Sequence, residues 1–444
     1  MKIRILVITA LAISLISCGE DTPVSDMDSQ LSLAINEASG NVGRVHYILP
    51  DSDQLFRIPQ DPQNRLTSDK IDLGRFLFHE SAFSTTGNFD HLKNTYSCAS
   101  CHHARAGFQA NMAQGIADGG EGFGIAGEGR RIDNEANPDD VDVQPLRTPS
   151  AMNLAYQTNL LWNGQFGATA VNKNTQANWT EGTPIATNEL GYEGLETQAI
   201  AGITVHRMAY NEEAITQHGY RDMFDVAFKN IDESDRYTVE RAGQAIAAYE
   251  RVMISNKAPF QNWLRGDNSA LTEAQKEGAI VFFSNGKCTT CHDGPALANM
   301  EFHAIGMGDF DTDEVFKFSS DDPSKTGRAS FTKNEEDMYK FKVPQLYNLK
   351  DSPFYGHGAS FKSLREVLEY KNMAEMENPD MDASYLSAHF TPLDLTDTEI
   401  ENLADFLENG LYDPDLSRYE PQSLPSGNCQ PNNDELSKYD LGCS

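Results

Sequence analysis

The sequence lacks several features that mark common classes of protein. After residue 20 it contains no apolar run long enough to cross a bilayer, so the body of the protein is expected to be soluble. Basic residues are scarce, with 35 Lys and Arg against 66 Asp and Glu and a net charge of −31, which argues against nucleic acid as a partner. Convincing strands of alternating polarity are also absent. The acidic surface either attracts a basic macromolecule, such as a small cationic electron carrier, or only favours solubility.

The amino terminus has the pattern of an export signal. Two basic residues precede an apolar run over residues 5–16, which is too short to span a bilayer. The run ends in the letters LISC, which resemble the lipobox of bacterial lipoproteins, in which the cysteine, here Cys18, is lipidated. We therefore predict a lipoprotein signal peptide over 1–18, a flexible tether over 19–50, and lipid anchoring on the periplasmic side of a bacterial membrane. A plain signal peptide with an incidental cysteine is the alternative.

Seven cysteines lie at positions 18, 98, 101, 288, 291, 429 and 443. Exported proteins occupy oxidising compartments, and Cys429 and Cys443 lie in a tail rich in Gly, Pro and Asn. We predict that they form a disulfide that closes a tail over residues 421–444. The remaining four belong to two pentapeptides, CASCH at 98–102 and CTTCH at 288–292.

Each pentapeptide has the Cys-x-x-Cys-His pattern of covalent c-type haem attachment. A zinc site would need the two cysteine pairs to meet and would leave both histidines unexplained. A thioredoxin-like pair would need a strand-to-helix context, which neither flank provides. The sequence therefore predicts two covalently bound haem c groups. The residues that would attach them are Cys98, Cys101, Cys288 and Cys291, with His102 and His292 as proximal iron ligands.

Capping patterns place helices around these motifs. A Ser or Thr followed three residues later by Glu or Gln marks a helix start at Thr272, Ser363 and Thr396, and each start precedes an apolar face of helical spacing. Ser68 or Asp69 can begin another helix before the first motif. The fold class predicted is mainly α with long loops.

Several ordered blocks resemble one family. They include LGRFLFHESAFSTTGN, LRTPSAMN, LWNGQF and GLETQA in the first half, and FKVPQLYNLKDSPFYGHGASFKSLREVL in the second. Over about residues 65–412 the chain is similar to the bacterial di-haem cytochrome c peroxidases and the MauG-like methylamine-utilisation maturases. The resemblance implies two cytochrome c-like haem domains, here bounded as 51–265 and 266–420. It also implies that peroxide is reduced at the first haem and that the second haem accepts electrons.

The resemblance also suggests roles for individual residues. Trp162 matches the tryptophan that relays charge between the haems, with a core aromatic as the alternative, and Gln198 matches a glutamine of the peroxide pocket. The family's acid–base glutamate is replaced by Arg207, so His206 becomes the candidate proton-transfer group. We predict catalytic roles for Trp162, Gln198 and His206.

Other positions depart from the family pattern. A removable distal histidine is replaced by Asp139, which predicts that the first haem is open without reductive activation. At the sixth-ligand position of the second haem we predict Met373, with Lys371 and Tyr370 as alternatives. Family members often hold calcium between the haems, but Arg147 stands where an asparagine ligand is usual, which leaves calcium open. A homodimer is left open as well, because family members are often dimers.

These observations together predict an exported di-haem peroxidase that reduces hydrogen peroxide with electrons from a small cytochrome c or cupredoxin. A maturase-like oxidase of a protein or organic substrate is the first alternative. A non-catalytic electron-transfer module with two saturated irons is the second.

Overall fold

The computed structural model describes residues 26–310, 319 and 321–443. The predicted signal peptide and Cys18 lie outside these residues. The structure is mostly helical, as predicted, and within the described residues no helix combines the length and apolar character needed to cross a membrane. The helices are α1 Asp26–Ala38, α2 Ser68–His79, α3 Gly194–Val205, α4 Glu212–Gln217, α5 Arg221–Ala227, α6 Val239–Val252, α7 Pro259–Leu264, α8 Glu273–Phe283, α9 Ala329–Thr332, α10 Leu364–Met373, α11 Asp397–Asp405 and α12 Glu435–Leu441.

Four short strands form two antiparallel pairs in the described part of the chain. The strands are β1 Gly120–Glu121, β2 Arg131–Ile132, β3 Phe302–His303 and β4 Phe341–Lys342. In the first pair Gly120 lies opposite Ile132, and in the second Phe302 lies opposite Lys342. Long irregular segments and single turns connect the remaining elements, as the sequence predicted.

Local capping determines where the helices begin. All three predicted capping boxes are present, at Thr272, Ser363 and Thr396, and each satisfies two backbone N–H groups reciprocally. Helix α2, which precedes the CASCH motif, begins at Ser68, one of the two predicted positions. Thr67 is its N-cap and accepts a hydrogen bond from the Lys70 N–H. The short-range signals were therefore reliable guides to the helix ends.

Each half of the chain has a helical core in which a glycine allows close packing. In the first half α2 and α3 pack against α6, and a Cβ added at Gly74 would lie 1.9 Å from the Ala245 carbonyl oxygen. In the second half α8 packs against α11, and a Cβ at Gly278 would lie 1.9 Å from the Asn402 carbonyl oxygen. No larger residue fits either position without moving the backbone of the neighbouring helix.

The predicted flexible tether over 19–50 is wrong for residues 26–50. Helix α1 packs on α8 of the second half, with Leu31 and Ile35 fully buried. The buried Asp28 carboxylate is 3.0 Å from Lys276 Nζ and accepts a hydrogen bond of 2.7 Å from Trp263 Nε1. The physical reason is that this segment is amphipathic. The free energy gained by burying its apolar face exceeds the conformational entropy that a disordered tether would keep.

The boundary predicted at 265/266 also differs from the structure. Helix α7 precedes that boundary, yet its Phe260 packs against Phe283 and Phe406 of the second half, with ring centroids 5.8 Å and 5.3 Å apart. The core of the second half therefore begins before α8 and also includes α1.

The carboxy-terminal tail contains the predicted disulfide between Cys429 and Cys443. It is not a separate appendage, because it packs on the first half. The Asp434 carboxylate accepts the Gly122 N–H at 2.9 Å, and the Asp440 carboxylate accepts the Phe123 and Gly124 N–H groups at 3.0 Å and 2.8 Å. The glycine-rich loop that follows β1 is thereby held by carboxylates of the chain itself.

Candidate functional site

A cavity of about 790 Å³ extends between the two predicted attachment motifs. Its wall includes both motifs and segments from α3, α6 and α10. The structure therefore brings the two pentapeptides, 190 residues apart in sequence, to one continuous space. The motif residues in the wall are Cys98, Cys101, His102, Cys288, Cys291 and His292.

The two motif histidines are oriented in the same way. His102 Nδ1 lies 3.1 Å from the Phe108 carbonyl oxygen, and His292 Nδ1 lies 3.0 Å from the Leu297 carbonyl oxygen. Both acceptor residues have a positive φ, 54° for Phe108 and 48° for Leu297. Burial lowers the pKa of each histidine to about 4, so both rings are neutral and Nδ1–H is the donor. This leaves Nε2 of each ring as a lone-pair ligand, the usual arrangement of a metal-binding histidine.

The four motif cysteines are free thiols. Burial raises the pKa of Cys98, Cys101 and Cys288 to about 12, and it also raises the pKa of Cys291. Within the described ranges, one group of side chains could hold a metal ion: Cys291, Glu301 and His303, whose ligand atoms lie within 4.8 Å of one another. The four thiols do not converge, which disfavours zinc. Neutral thiols in a mostly apolar cavity, each pair beside an oriented histidine, fit covalently attached haem.

A short segment occurs twice, once in each half. Residues 147–154 read RTPSAMNL and residues 342–349 read KVPQLYNL, and the asparagine has φ of 58° in the first copy and 57° in the second. The proline carbonyl in each copy contacts the motif histidine of its own half, Pro149 with His102 and Pro344 with His292. The two halves therefore build the wall behind each motif histidine from the same local structure.

These two segments also join the halves. The Arg147 N–H donates to the His357 carbonyl oxygen at 2.9 Å, and the Lys342 N–H donates to the Trp162 carbonyl oxygen at 2.7 Å. The Trp162 indole Nε1–H donates to the Arg147 carbonyl oxygen at 2.8 Å, and its ring lies 6.4 Å from the His357 ring. Trp162 is thus fixed at the junction of the halves in the cavity wall, where a relay between two haems would need an aromatic ring.

Helix α3 presents its predicted residues to the first half of the cavity. Gln198 and Gly202 lie one turn apart, and His206 follows at the end of the helix. His206 Nδ1 is 2.8 Å from a carboxylate oxygen of the buried Asp142. Burial acts to lower the pKa of His206, but the Asp142 charge and hydrogen bond outweigh it and leave the pKa raised. Gln198 and His206 are therefore together, and Asp142 was not anticipated.

The prediction that Met373 is the sixth iron ligand of the second haem is wrong. Its side chain is 56% exposed and does not line the cavity. The cavity-facing residues of α10 are Leu364, Val367, Leu368 and Lys371. A helix turns 100° per residue, so position 373 points away from position 371.

The two alternatives at this position also differ in placement. The Tyr370 hydroxyl donates to the Ile305 carbonyl oxygen and does not line the cavity. Lys371 lines it, and burial lowers the pKa of Lys371 despite the neighbouring Cys288 and Cys291 thiols. Asp139 is exposed and lies outside the cavity wall. His103 is fully buried and also lies outside the cavity wall.

Glu250 is a further cavity residue that sequence reasoning missed. It is buried on α6, one of its carboxylate oxygens has no hydrogen-bond partner, and burial raises its pKa to about 8. The only signal was its place next to Arg251, which instead forms an ion pair of 2.7 Å with Glu196 on α3. Glu250 therefore supplies a protonated carboxyl group to the cavity wall at neutral pH.

Comparison with known proteins gives a consistent result. The profile of the family described as "Di-haem cytochrome c peroxidase" matches residues 68–269. Methylamine utilization protein MauG of Methylophilus methylotrophus is 26% identical over 390 residues, covering 82% of this chain and 93% of the relative. Cytochrome c551 peroxidase of Nitrosomonas europaea is 28% identical over 309 residues, covering 69% of this chain and 73% of the relative.

A solved structure shares the fold. The crystal structure of a MauG-like protein associated with microbial copper homeostasis aligns with a TM-score of 0.58 and 22% identity, covering 83% of this chain and 95% of that chain. The diheme peroxidase BthA from Burkholderia thailandensis aligns with a TM-score of 0.52 and 18% identity, covering 82% and 90%. These likenesses show that the chain shares the fold of these two proteins.

Proposed function

Because the chain belongs to the di-haem cytochrome c peroxidase family, we propose that it is an exported peroxidase that reduces hydrogen peroxide to water with electrons from a small redox protein. The family consists of oxidoreductases and binds haem c, so both statements hold for this chain. Haem iron with an open position supplies the chemistry that splits the oxygen–oxygen bond when the group is bound. Peroxide takes up two electrons and two protons and gives two waters.

The observation that carries this proposal is the His206–Asp142 pair in the cavity wall. The 2.8 Å contact holds the imidazole by Nδ1, and among the described residues Nε2 has no protein partner. A neutral imidazole in this orientation accepts a proton at Nε2, and the imidazolium then returns it to the departing oxygen. Gln198, on the same face of α3, is placed to orient a small polar molecule beside it.

At the second motif we propose Lys371 as the sixth iron ligand. It is the α10 residue with a donor atom in the cavity wall, and its ammonium has no hydrogen-bond or ion-pair partner within the described residues. A neutral amine is a nitrogen donor to iron, whereas Met373 lies in solvent. The two halves would then differ in function, with an acid–base group in the first and a saturated iron in the second.

Two experiments test Lys371. In the oxidised wild-type protein, the electron paramagnetic resonance and near-infrared spectra of the second haem should report two nitrogen ligands. Lys371→Met should replace one nitrogen by sulfur and give the charge-transfer band that is typical of histidine–methionine haem. A wild-type spectrum with sulfur ligation would assign the ligand to Met307 or Met381, which also line the cavity.

The alternatives have weaker support. A tyrosine ligand at the second motif would favour a maturase-like oxidase, but Tyr370 is not in the cavity wall and its hydroxyl donates to the Ile305 carbonyl oxygen. A non-catalytic module would need the first iron to be saturated, and among the described residues of the 104–146 segment there is no histidine to saturate it. Relatives named MauG are nevertheless as similar in sequence as the peroxidases.

The deciding experiment uses the oxidised holoprotein before and after one equivalent of hydrogen peroxide. The proposal requires a high-spin first haem at rest, loss of its signal on addition of peroxide, and catalytic turnover when a reduced cytochrome or cupredoxin is supplied. Two low-spin irons that do not respond to peroxide would refute it. Slow peroxide turnover with oxidising equivalents retained for minutes would support the oxidase instead.

We further propose the periplasmic side of a bacterial membrane as the location, with a lipid on Cys18. The support is the basic and apolar start followed by LISC, together with the disulfide in the tail. The net charge of −31 favours a donor with a basic docking face. Labelling of the expressed protein with a fatty acid, and its loss in Cys18→Ser, tests the anchor. Calcium is not part of the proposal, because the buried Arg147 guanidinium already places a positive charge at the junction.

A further inference from the structure

Two buried cations lie at equivalent positions in the duplicated segment. Arg147 begins RTPSAMNL and Lys342 begins KVPQLYNL, and both side chains line the cavity. Arg147 is 5% exposed and Lys342 is 8% exposed. The chain has almost twice as many acidic as basic residues, so an unpaired buried cation is unexpected here.

The protein partners of these two cations are neutral. Arg147 donates to the Gln109 side-chain oxygen and the Ser352 hydroxyl, each at 2.8 Å, and its Nε–H has no partner. Lys342 donates to the Gln157 side-chain oxygen, which is its one hydrogen-bond partner in the described part of the chain. The Arg147–Ser352 and Lys342–Gln157 contacts cross the junction of the halves, whereas Gln109 belongs to the same half as Arg147.

Three other buried cations among the described residues have fuller sets of partners. Arg251 pairs with Glu196 at 2.7 Å and Lys276 pairs with Asp28 at 3.0 Å. Arg328 has no carboxylate partner, but four acceptors surround its guanidinium and it lies outside the cavity wall. Arg147 and Lys342 therefore share two properties: each lacks a carboxylate partner and has few hydrogen-bond acceptors, and each lines the cavity.

Burying a charge without a counter-charge is unfavourable even after the surrounding structure relaxes. Burial alone lowers the pKa of Lys342 to about 7, and it lowers the pKa of Arg147 to about 10 despite the neighbouring Tyr355. An anion in the cavity would remove this penalty. Each haem c carries two propionate carboxylates, and a carboxylate accepts hydrogen bonds from guanidinium and ammonium groups.

We propose that Arg147 and Lys342 bind the haem propionates at the junction, one cation for each half. The assignment follows the duplicated segment, because the proline two residues after each cation contacts the motif histidine of the same half. This inference rests on the proposed di-haem function. It adds a consequence for Trp162, which the backbones of the same two residues hold in place.

The test uses the holoprotein with Lys342→Met, the charge-preserving Lys342→Arg and the control Lys340→Met. Lys340 lies two residues earlier, is partly exposed and pairs with Asp337 at 3.8 Å, so its replacement removes the same charge outside the cavity. Each protein is first assayed for haem content, and each haem is then titrated spectroelectrochemically between pH 5 and pH 9, a range chosen about the pKa of a released carboxyl group.

Loss of a positive charge near a haem favours the oxidised iron. For Lys342→Met we expect the ratio of oxidised to reduced haem at a fixed potential to rise about tenfold at one haem. We also expect its midpoint to become dependent on pH, because an unpaired propionate titrates. Lys342→Arg should keep the wild-type midpoint and pH dependence, and Lys340→Met should change neither. Arg147→Gln should give the corresponding change at the other haem.

Wild-type midpoints and pH dependence in Lys342→Met and Arg147→Gln, with full haem content, would overturn the inference. If neither variant accumulates, resonance Raman spectra of Lys342→Arg decide it, since a propionate contact requires a shifted propionate bending mode and its absence refutes the contact. Failure of the di-haem proposal itself looks different, because the wild-type protein would then contain fewer than two haems.

Discussion

Replacing His206 should abolish most peroxide reduction without preventing haem attachment. The imidazole lines the cavity through α3, but the attachment residues lie on separate turns at 98–102 and 288–292. Loss of a general acid–base group costs about 10²- to 10⁴-fold in rate. For His206→Gln we therefore expect kcat/KM for peroxide to fall by that factor, with the visible spectrum of both haems retained.

Asp142→Asn should have a smaller effect with a distinct pH signature. The 2.8 Å contact is a charge-assisted hydrogen bond, and such a bond contributes about 1.5–3 kcal/mol, or roughly a 10- to 150-fold change in rate if it is lost entirely. With the carboxylate, the pKa of His206 is raised; without it, burial and the Arg207 charge remain, and both lower the pKa. Because the protonated ring cannot accept a proton, the acid limb of the rate profile should move to lower pH in the variant.

The assay is stopped-flow turnover of peroxide by the holoprotein from pH 4.5 to pH 9, a range set about the ordinary histidine pKa. The stability of the pair has the opposite dependence. The raised pKa means that the contribution of the pair to folding is present below the unfolded pKa and is lost as pH rises through the folded pKa. Wild-type kcat/KM in His206→Gln, or an acid limb that does not move in Asp142→Asn, would refute the acid–base role.

Three further predictions follow from other parts of the structure. Met373→Leu should leave the spectrum and midpoint of the second haem unchanged, because this side chain is exposed; a change in ligation would contradict the assignment to Lys371. Leu31→Ala should lower the free energy of unfolding by about 2–5 kcal/mol in denaturant titrations, whereas Leu33→Ala, at a position 64% exposed on the same helix, should be nearly neutral. Equal effects would mean that α1 is not docked. The double replacement of Cys429 and Cys443 by serine opens a loop whose ends are 14 residues apart in sequence. It should lower the stability of the tail by about 3 kcal/mol, measured by hydrogen exchange of the tail amides. Unchanged exchange in the tail would show that the disulfide is dispensable.

Much of the fold could be predicted because its signals are local. A capping box requires residues only three positions apart, and all three boxes begin helices. The pentapeptides are also local, and each one places its histidine beside a carbonyl group five or six residues later. These features need no knowledge of how the halves meet.

Two predictions, the tether over 19–50 and Met373 as a ligand, are wrong although local patterns in the sequence indicate otherwise. Leu31, Ala34 and Ile35 have the spacing of one helical face, which indicates a docked helix rather than a tether. On α10, the apolar residues at positions 364, 367 and 368 lie on one face of the helix, and that face includes position 371 but not position 373. The helical spacing therefore favours Lys371 over Met373 as the residue on this face.

The remaining features depend on contacts between distant segments. Asp142 and His206 are 64 residues apart, and Arg147 meets Ser352 across 205 residues. Sequence shows that RTPSAMNL and KVPQLYNL are alike, but it does not show that each donates its first N–H to the opposite half. Tertiary packing creates these pairs, and no periodicity within either segment encodes them.

The two ends of the chain are exchanged between the halves. The amino-terminal helix α1 covers α8 beside the second motif, and the tail that follows residue 420 covers the loop beside the first, where Ser97 Oγ donates to the Pro431 carbonyl oxygen at 2.9 Å. A ribosome delivers the first pentapeptide long before the residues that enclose it. The CASCH motif therefore stays accessible until the tail has been synthesised. A gene cut between the halves would yield two fragments, each of which lacks a segment that packs on it in the intact chain.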